Sequence, residues 1–135
     1  MEKKWRNATR KPEEVPKSRA VKTELEARTL GFSLAVIRFV AGFPRSSVGD
    51  VIGRQFLKSA TAIGANYREA NRAESREDFI HKTGIVEKEA AETVYWLEIC
   101  VRGKIGPDAD AQVLLAEANE LLAIITTINR KAKHR

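Results

Sequence analysis

Three sets of side chains in this 135-residue chain have types and spacings that chemistry could use. Glu89 and Glu92 stand three residues apart, so a helix carrying them puts both on one side; paired carboxylates do acid–base work when their surroundings split their pKa values. Asp78 and His81 have the same i, i+3 spacing, which resembles a carboxylate–imidazole ligand pair. Cys100 is the lone thiol. Each set also has a plainer reading. A di-metal bundle site needs two carboxylate–His pairs and further carboxylates on facing helices, and His81 is the only histidine outside the last two residues. No metal is expected, and His81 reads as a surface residue in the first turn of a helix. Cys100 lies among apolar residues and reads as a small packing residue. No Ser–His–Asp motif surrounds His81. Glu89 and Glu92 read as acceptors for an arginine or an amide in a helix interface, with Asn66, Arg54 and Arg68 as candidate partners. No catalytic residue and no cofactor is expected, and the chain reads as a non-enzyme.

The elements that position these residues follow from apolar periodicity. The first predicted helix covers residues 18–41. Leu25, Thr29, Phe32, Val36 and Phe39 form one stripe, and Leu30, Leu34, Ile37 and Ala41 form a second, offset stripe. A helix with one partner needs one buried face; two stripes imply two neighbours. Gly42 is expected as a left-handed cap, with Pro44 as the stop. The second helix covers residues 48–72, entered through a Ser47–Asp50 capping pair. Ile52, Phe56, Ser59, Ile63, Asn66 and Ala70 share its inner face, so Asn66 is expected to bond across the bundle. Arg54, Lys58, Arg68 and Arg72 share the opposite face. The third helix covers residues 76–101, capped by Ser75 with Asp78. Phe79, Thr83, Val86, Ala90, Val94, Leu97 and Val101 form its core stripe; Ile85, Glu89, Glu92, Trp96 and Ile99 form a second side suited to a subunit interface. Gly106–Pro107 breaks the chain before a fourth helix over residues 108–130, with Leu114, Ala118, Leu121, Ile125 and Ile128 inward. Gly64 and Gly84 match no phosphate-binding loop and read as points of close helix approach. Short connections make neighbouring helices antiparallel, so the expected fold is all-α, an up-down-up-down four-helix bundle. The domain plan is a flexible basic tail over residues 1–17, the bundle over 18–130, and a basic tail over 131–135.

Composition narrows the rest. Hydrophobic residues make up 43%, with 4 Pro and 8 Gly placed mostly at segment ends. One cysteine excludes an intramolecular disulfide and a Cys-rich zinc site. No uninterrupted apolar run approaches the ~20 residues of a membrane helix, and the N-terminus lacks an apolar signal core; a cytoplasmic protein without a membrane partner is expected. The net charge of +6 is carried by the ends: residues 1–20 and 130–135 each hold +4, which leaves −2 between them. Arg68, Arg72 and Arg76 recur every four residues. With the tails they form a basic surface suited to nucleic-acid phosphates, RNA or DNA, if several copies assemble. A solvated face with solubilising tails, or a module that binds protein and no nucleic acid, is the alternative.

Two segments carry a family resemblance. Arg54–Gln55 followed by Ser59-Ala-Thr-Ala-Ile-Gly-Ala-Asn66-Tyr-Arg-Glu69-Ala70 resembles the central signature of the bacterial four-helix bundle proteins also called 23S rRNA intervening-sequence proteins. Ser75-Arg-Glu-Asp78-Phe79-Ile80 and Lys88-Glu89-Ala90-Ala-Glu92-Thr93-Val-Tyr95-Trp96-Leu97 are similar to the third-helix signature of that family. The family's usual Ile-Ala-Glu-Gly after the Asn is replaced by Tyr67-Arg68-Glu69-Ala70. The resemblance implies an up-down four-helix bundle, assembly as a homopentamer, and no enzymatic activity. It also implies a relation to the accessory protein of diversity-generating retroelements, a basic pentamer that binds nucleic acid and a reverse transcriptase. Asn66, Glu69, Glu89, Glu92 and Trp96 are then expected at interfaces or as buried polar groups; the charge pattern itself gives Arg54, Lys58, Arg68, Arg72 and Arg76 as the candidate nucleic-acid contacts.

Overall fold

A computed structural model describes residues 17–134, with side chains from Arg19 onward. The expected N-terminal tail before Lys17, with Trp5, lies outside the described residues, as does Arg135. Four helices follow one another: α1 Lys17–Ala41, α2 Ser47–Ala70, α3 Arg76–Gly103 and α4 Asp108–Lys133. Each packs on the next, and α4 closes the set against α1; among the described residues the backbones of the diagonal pairs stay apart. This is the expected all-α four-helix bundle.

The core forms where the apolar stripes converge. Phe32, Phe56, Ile63, Leu97, Leu114, Leu121 and Ile125 are fully buried, each contributing about 1.5–3 kcal/mol of transfer free energy. Phe39 packs edge-on against Phe43 and Phe56, at centroid distances of 5.2 and 6.2 Å. Gly64 lets α1 and α2 approach closely: a Cβ there would stand 3.1 Å from Thr29 Oγ1. Gly84 does less, since a Cβ would meet only Asn129 Nδ2, at 3.9 Å. Two sets of polar side chains inside the bundle tie neighbouring helices together. Thr93 donates to Ser59 Oγ at 2.9 Å, tying α3 to α2. Asn129 donates to Ile80 O and Thr83 Oγ1 at 2.9 and 2.8 Å, tying α4 to α3.

The helix ends correct several expectations. Ser46, one residue before the expected cap, receives the Gly49 N–H at 2.9 Å and starts α2. Helix α2 stops at Ala70, with Asn71 as its cap, so Arg68, Arg72 and Arg76 do not form one helical strip. Gly42 does not take the left-handed conformation. Helix α1 ends instead in tight turns, with the Gly42 N–H on Phe39 O at 3.2 Å and the Phe43 N–H on Val40 O at 3.0 Å; a left-handed cap occurs at Lys104 (φ 57°), which ends α3. Ser75 caps α3 as expected, accepting from Asp78 N at 3.1 Å. Helix α4 runs three residues past the expected end, to Lys133. By length and composition α4 could cross a membrane although no uninterrupted run does; here it lies between α1 and α3 and buries Glu117.

Candidate nucleic-acid interface

The polar side chains singled out by sequence do not gather into a catalytic pocket. Cys100 is buried, and burial pushes its thiol up to about 11, so it stays protonated and unreactive. Asp78 is held below the usual carboxylate range by Lys82, 3.2 Å away, and by the Glu74 N–H. His81 is exposed. No group of three or more His, Cys, Asp or Glu side chains suited to a metal occurs among the described residues.

The expected bonds of Asn66 and the Glu89–Glu92 pair are different from those observed. Asn66 donates to Ala62 O at 2.9 Å, within its own helix. The centre of the α2 inner face is Phe56, Ala60, Ile63 and Tyr67, and Asn66 lies about 100° around the helix from Tyr67. Tyr67 thus fills the core at the position where this sequence departs from the family pattern. Burial raises its phenol pKa, with neighbouring Asn71 partly offsetting it. Glu92 and Glu69 are exposed, while Glu89 is half-buried. Within the single chain neither Glu89 nor Glu92 forms an ion pair within 4.0 Å among the described residues. Desolvation, and then repulsion from Glu92, raises the Glu89 pKa, while Lys58 lowers it. Trp96 lies against the core with its indole N–H buried and without an acceptor among the described residues. Tyr95 beside it is 57% exposed, edge-on at 5.2 Å.

The five candidate phosphate contacts fall in two places. Arg54 and Lys58 lie in the first half of α2, exposed and without an ion pair among the described residues. Arg68, Arg72 and Arg76 lie around the α2–α3 turn, and Arg54 to Arg68 spans roughly 20 Å of helix. Arg68 stands 4.0 Å from Glu26, a half-exposed pair of little energetic weight. Arg72 is exposed. Arg76 is engaged, since its Nε donates to Ala132 O at 2.7 Å and holds the last turn of α4.

One polar cluster was missed. Arg28 forms a fork on Glu117, with Nε to Oε2 at 2.7 Å and Nη2 to Oε1 at 2.8 Å, and reaches Glu120 at 3.2 Å. Glu117 is completely buried, and its carboxylate raises the Arg28 pKa despite the opposing cost of burial. The signal available was Glu117 itself, an acid inside the stripe Leu114, Ala118, Leu121. Its partner, 89 residues away, has no local signature.

The family model for the 23S rRNA-intervening sequence protein matches residues 22–127. The chain belongs to that family. The match spans all four helices, from the second turn of α1 to the penultimate turn of α4. This family member is also similar to a solved structure from Bacteroides thetaiotaomicron VPI-5482, described as a protein with unknown function from the S23 ribosomal protein family. The two share 32% sequence identity at a TM-score of 0.72, over 78% of this chain and 97% of the other. No curated protein matches the chain. The family is one of unknown function, and neither comparison indicates a catalytic family.

Proposed function

We propose that this chain is a non-enzymatic, cytoplasmic bundle that assembles with copies of itself, as a pentamer, and contacts the phosphate backbone of RNA or DNA. The observation that carries the nucleic-acid reading is the outer side of α2 and its turn, where Arg54, Lys58 and Arg72 are exposed and not neutralised by an ion pair among the described residues. Assembly multiplies that charge. It is supported by α1, which is apolar on two opposite sides: the inner stripe is buried, while Leu30, Leu34 and Ile37 remain 49%, 45% and 44% exposed. A soluble helix with one set of neighbours does not need the second stripe. A reverse transcriptase or another nucleic-acid enzyme is the protein partner that the family resemblance suggests.

The test is a fluorescence-anisotropy titration of the full chain with labelled RNA and DNA oligonucleotides between 50 and 200 mM salt. Affinity should fall linearly on logarithmic axes, as counterion release requires. An absence of binding to either at the lowest salt refutes the reading and leaves a protein-binding module.

A further inference from the structure

The topology makes a basic surface that the linear sequence does not display. An even number of antiparallel helices returns both chain ends to one pole, and two hydrogen bonds fix the start of α3 there beside the end of α4: Arg76 to Ala132 O and Asn129 to Ile80 O. Helix α1 begins and α4 ends at this same pole, where the last turn of α4 carries Arg130, Lys131 and Lys133. A groove between α3 and α4 opens beside it, lined by His81, Gly84, Lys88, Asn129 and Lys133. Its floor is firm, because Asn129 is held by two donated bonds. Its floor is also open, because a Cβ on Gly84 would meet nothing closer than 3.9 Å. Lys88 and Lys133 are exposed cations on its rim, and Arg130 lies one turn before Lys133 on the same side of α4. None of the three forms an ion pair within 4.0 Å among the described residues. Glu87, the carboxylate lining the groove, accepts from Thr126 Oγ1 at 2.8 Å.

Resting on the nucleic-acid reading above, we infer that this α3–α4 groove at the termini pole, rather than the α2 face alone, is where the phosphodiester backbone lies, with Lys88, Arg130 and Lys133 contacting phosphates. The groove adds three exposed cations along one helix seam. A polyanion following this seam gains contacts that Arg54, near the other pole, cannot share.

The experiment compares two triple variants of the full chain with equal loss of charge. One is Lys88→Gln/Arg130→Gln/Lys133→Gln. The other, at the opposite pole, is Arg38→Gln/Arg45→Gln/Arg102→Gln. Circular dichroism and solution mass first establish that both keep the wild-type fold and assembly. Binding of a labelled 20-nucleotide RNA, and of DNA of the same sequence, is then followed against salt. The groove variant should lose at least tenfold in affinity at 100 mM salt, and its salt slope should fall by about 2, at roughly 0.7 per single-strand phosphate contact. The opposite-pole variant should lose no more than about threefold, the long-range share of its lost charge. Equal losses in the two variants, or an unchanged slope in the groove variant, overturn the inference while nucleic-acid binding stands. A wild-type chain that binds neither oligonucleotide overturns both.

Discussion

Replacing Arg28 by Ala should be among the most damaging single substitutions outside the apolar core. The side chain places two charge-assisted bonds on Glu117, at 2.7 and 2.8 Å, in the fork geometry that a guanidinium offers a carboxylate. Glu117 is entirely removed from solvent, whereas Arg28 is 18% exposed. Breaking a buried pair by removing one partner costs about 3–5 kcal/mol. Solvent at the Arg28 end places this case at the lower limit, about 3 kcal/mol. For a domain of this size the melting temperature should then fall by roughly 10–15 °C. Thermal and urea denaturation followed by circular dichroism, at matched protomer concentration because assembly stabilises by mass action, reads the change. Arg28→Lys should fall between wild type and Ala, since it keeps the charge and loses the fork. The double variant Arg28→Met/Glu117→Leu should return to within about 1 kcal/mol of wild type, because it removes the buried charge together with its partner. A loss below about 1 kcal/mol for Arg28→Ala would show that the pair is not what holds α1 to α4.

Three further outcomes are expected. Gly106→Ala should destabilise by about 2–4 kcal/mol in urea melts, since Gly106 has φ +79° and a Cβ would stand 2.7 Å from Phe39 Cζ; an unchanged midpoint would contradict this packing. Cys100 should react with a thiol reagent at pH 8 about 100-fold more slowly than an unperturbed cysteine, because its pKa rises from 9.0 to about 11; urea unfolding should remove the difference. For Glu89 the folded pKa lies above the unfolded one, so its favourable share of stability is complete below the ordinary carboxylate pKa and is lost as pH rises through the folded value. Glu89→Gln should therefore stabilise at pH 7 and have little effect at pH 3.5, and equal effects at both pH values would contradict the desolvation argument.

Much of the fold could be read from the sequence because amphipathic helices state their own period. The inner stripes of α1, α3 and α4 follow their apolar period: Phe32, Val86 and Leu121 recur with neighbours at 3.6-residue spacing, and all lie at zero exposure. Periodicity does not decide between adjacent residues that compete for one role. Ser46 and Ser47 can both cap, and only backbone geometry selects Ser46. Tyr67 and Asn66 differ by one step around α2, and Tyr67 takes the core because a large aromatic fills more volume there. Gly42 has the freedom for a left-handed turn, but the turn bonds of Gly42 and Phe43 to Phe39 and Val40 end α1 without it. The interface residues were harder. Trp96 and Glu89 are separable from the core stripe by angle alone, but what surrounds them depends on which helix lies beside them. The Arg28–Glu117 pair and the α3–α4 groove join residues far apart in sequence, and periodicity carries no information about such pairs.

The outward stripe of α1 ties the account together, and the mass of the native chain in solution tests it most directly. Size-exclusion chromatography with light scattering, on wild type and on Leu34→Glu/Ile37→Glu, should give about 75 kDa for a pentamer of the 15.1 kDa chain and a smaller species for the variant. Both side chains are already nearly half exposed in the single chain, so the variant should keep its helicity. A wild-type mass of 15.1 kDa at every concentration, with the stripe left in water, would contradict the account.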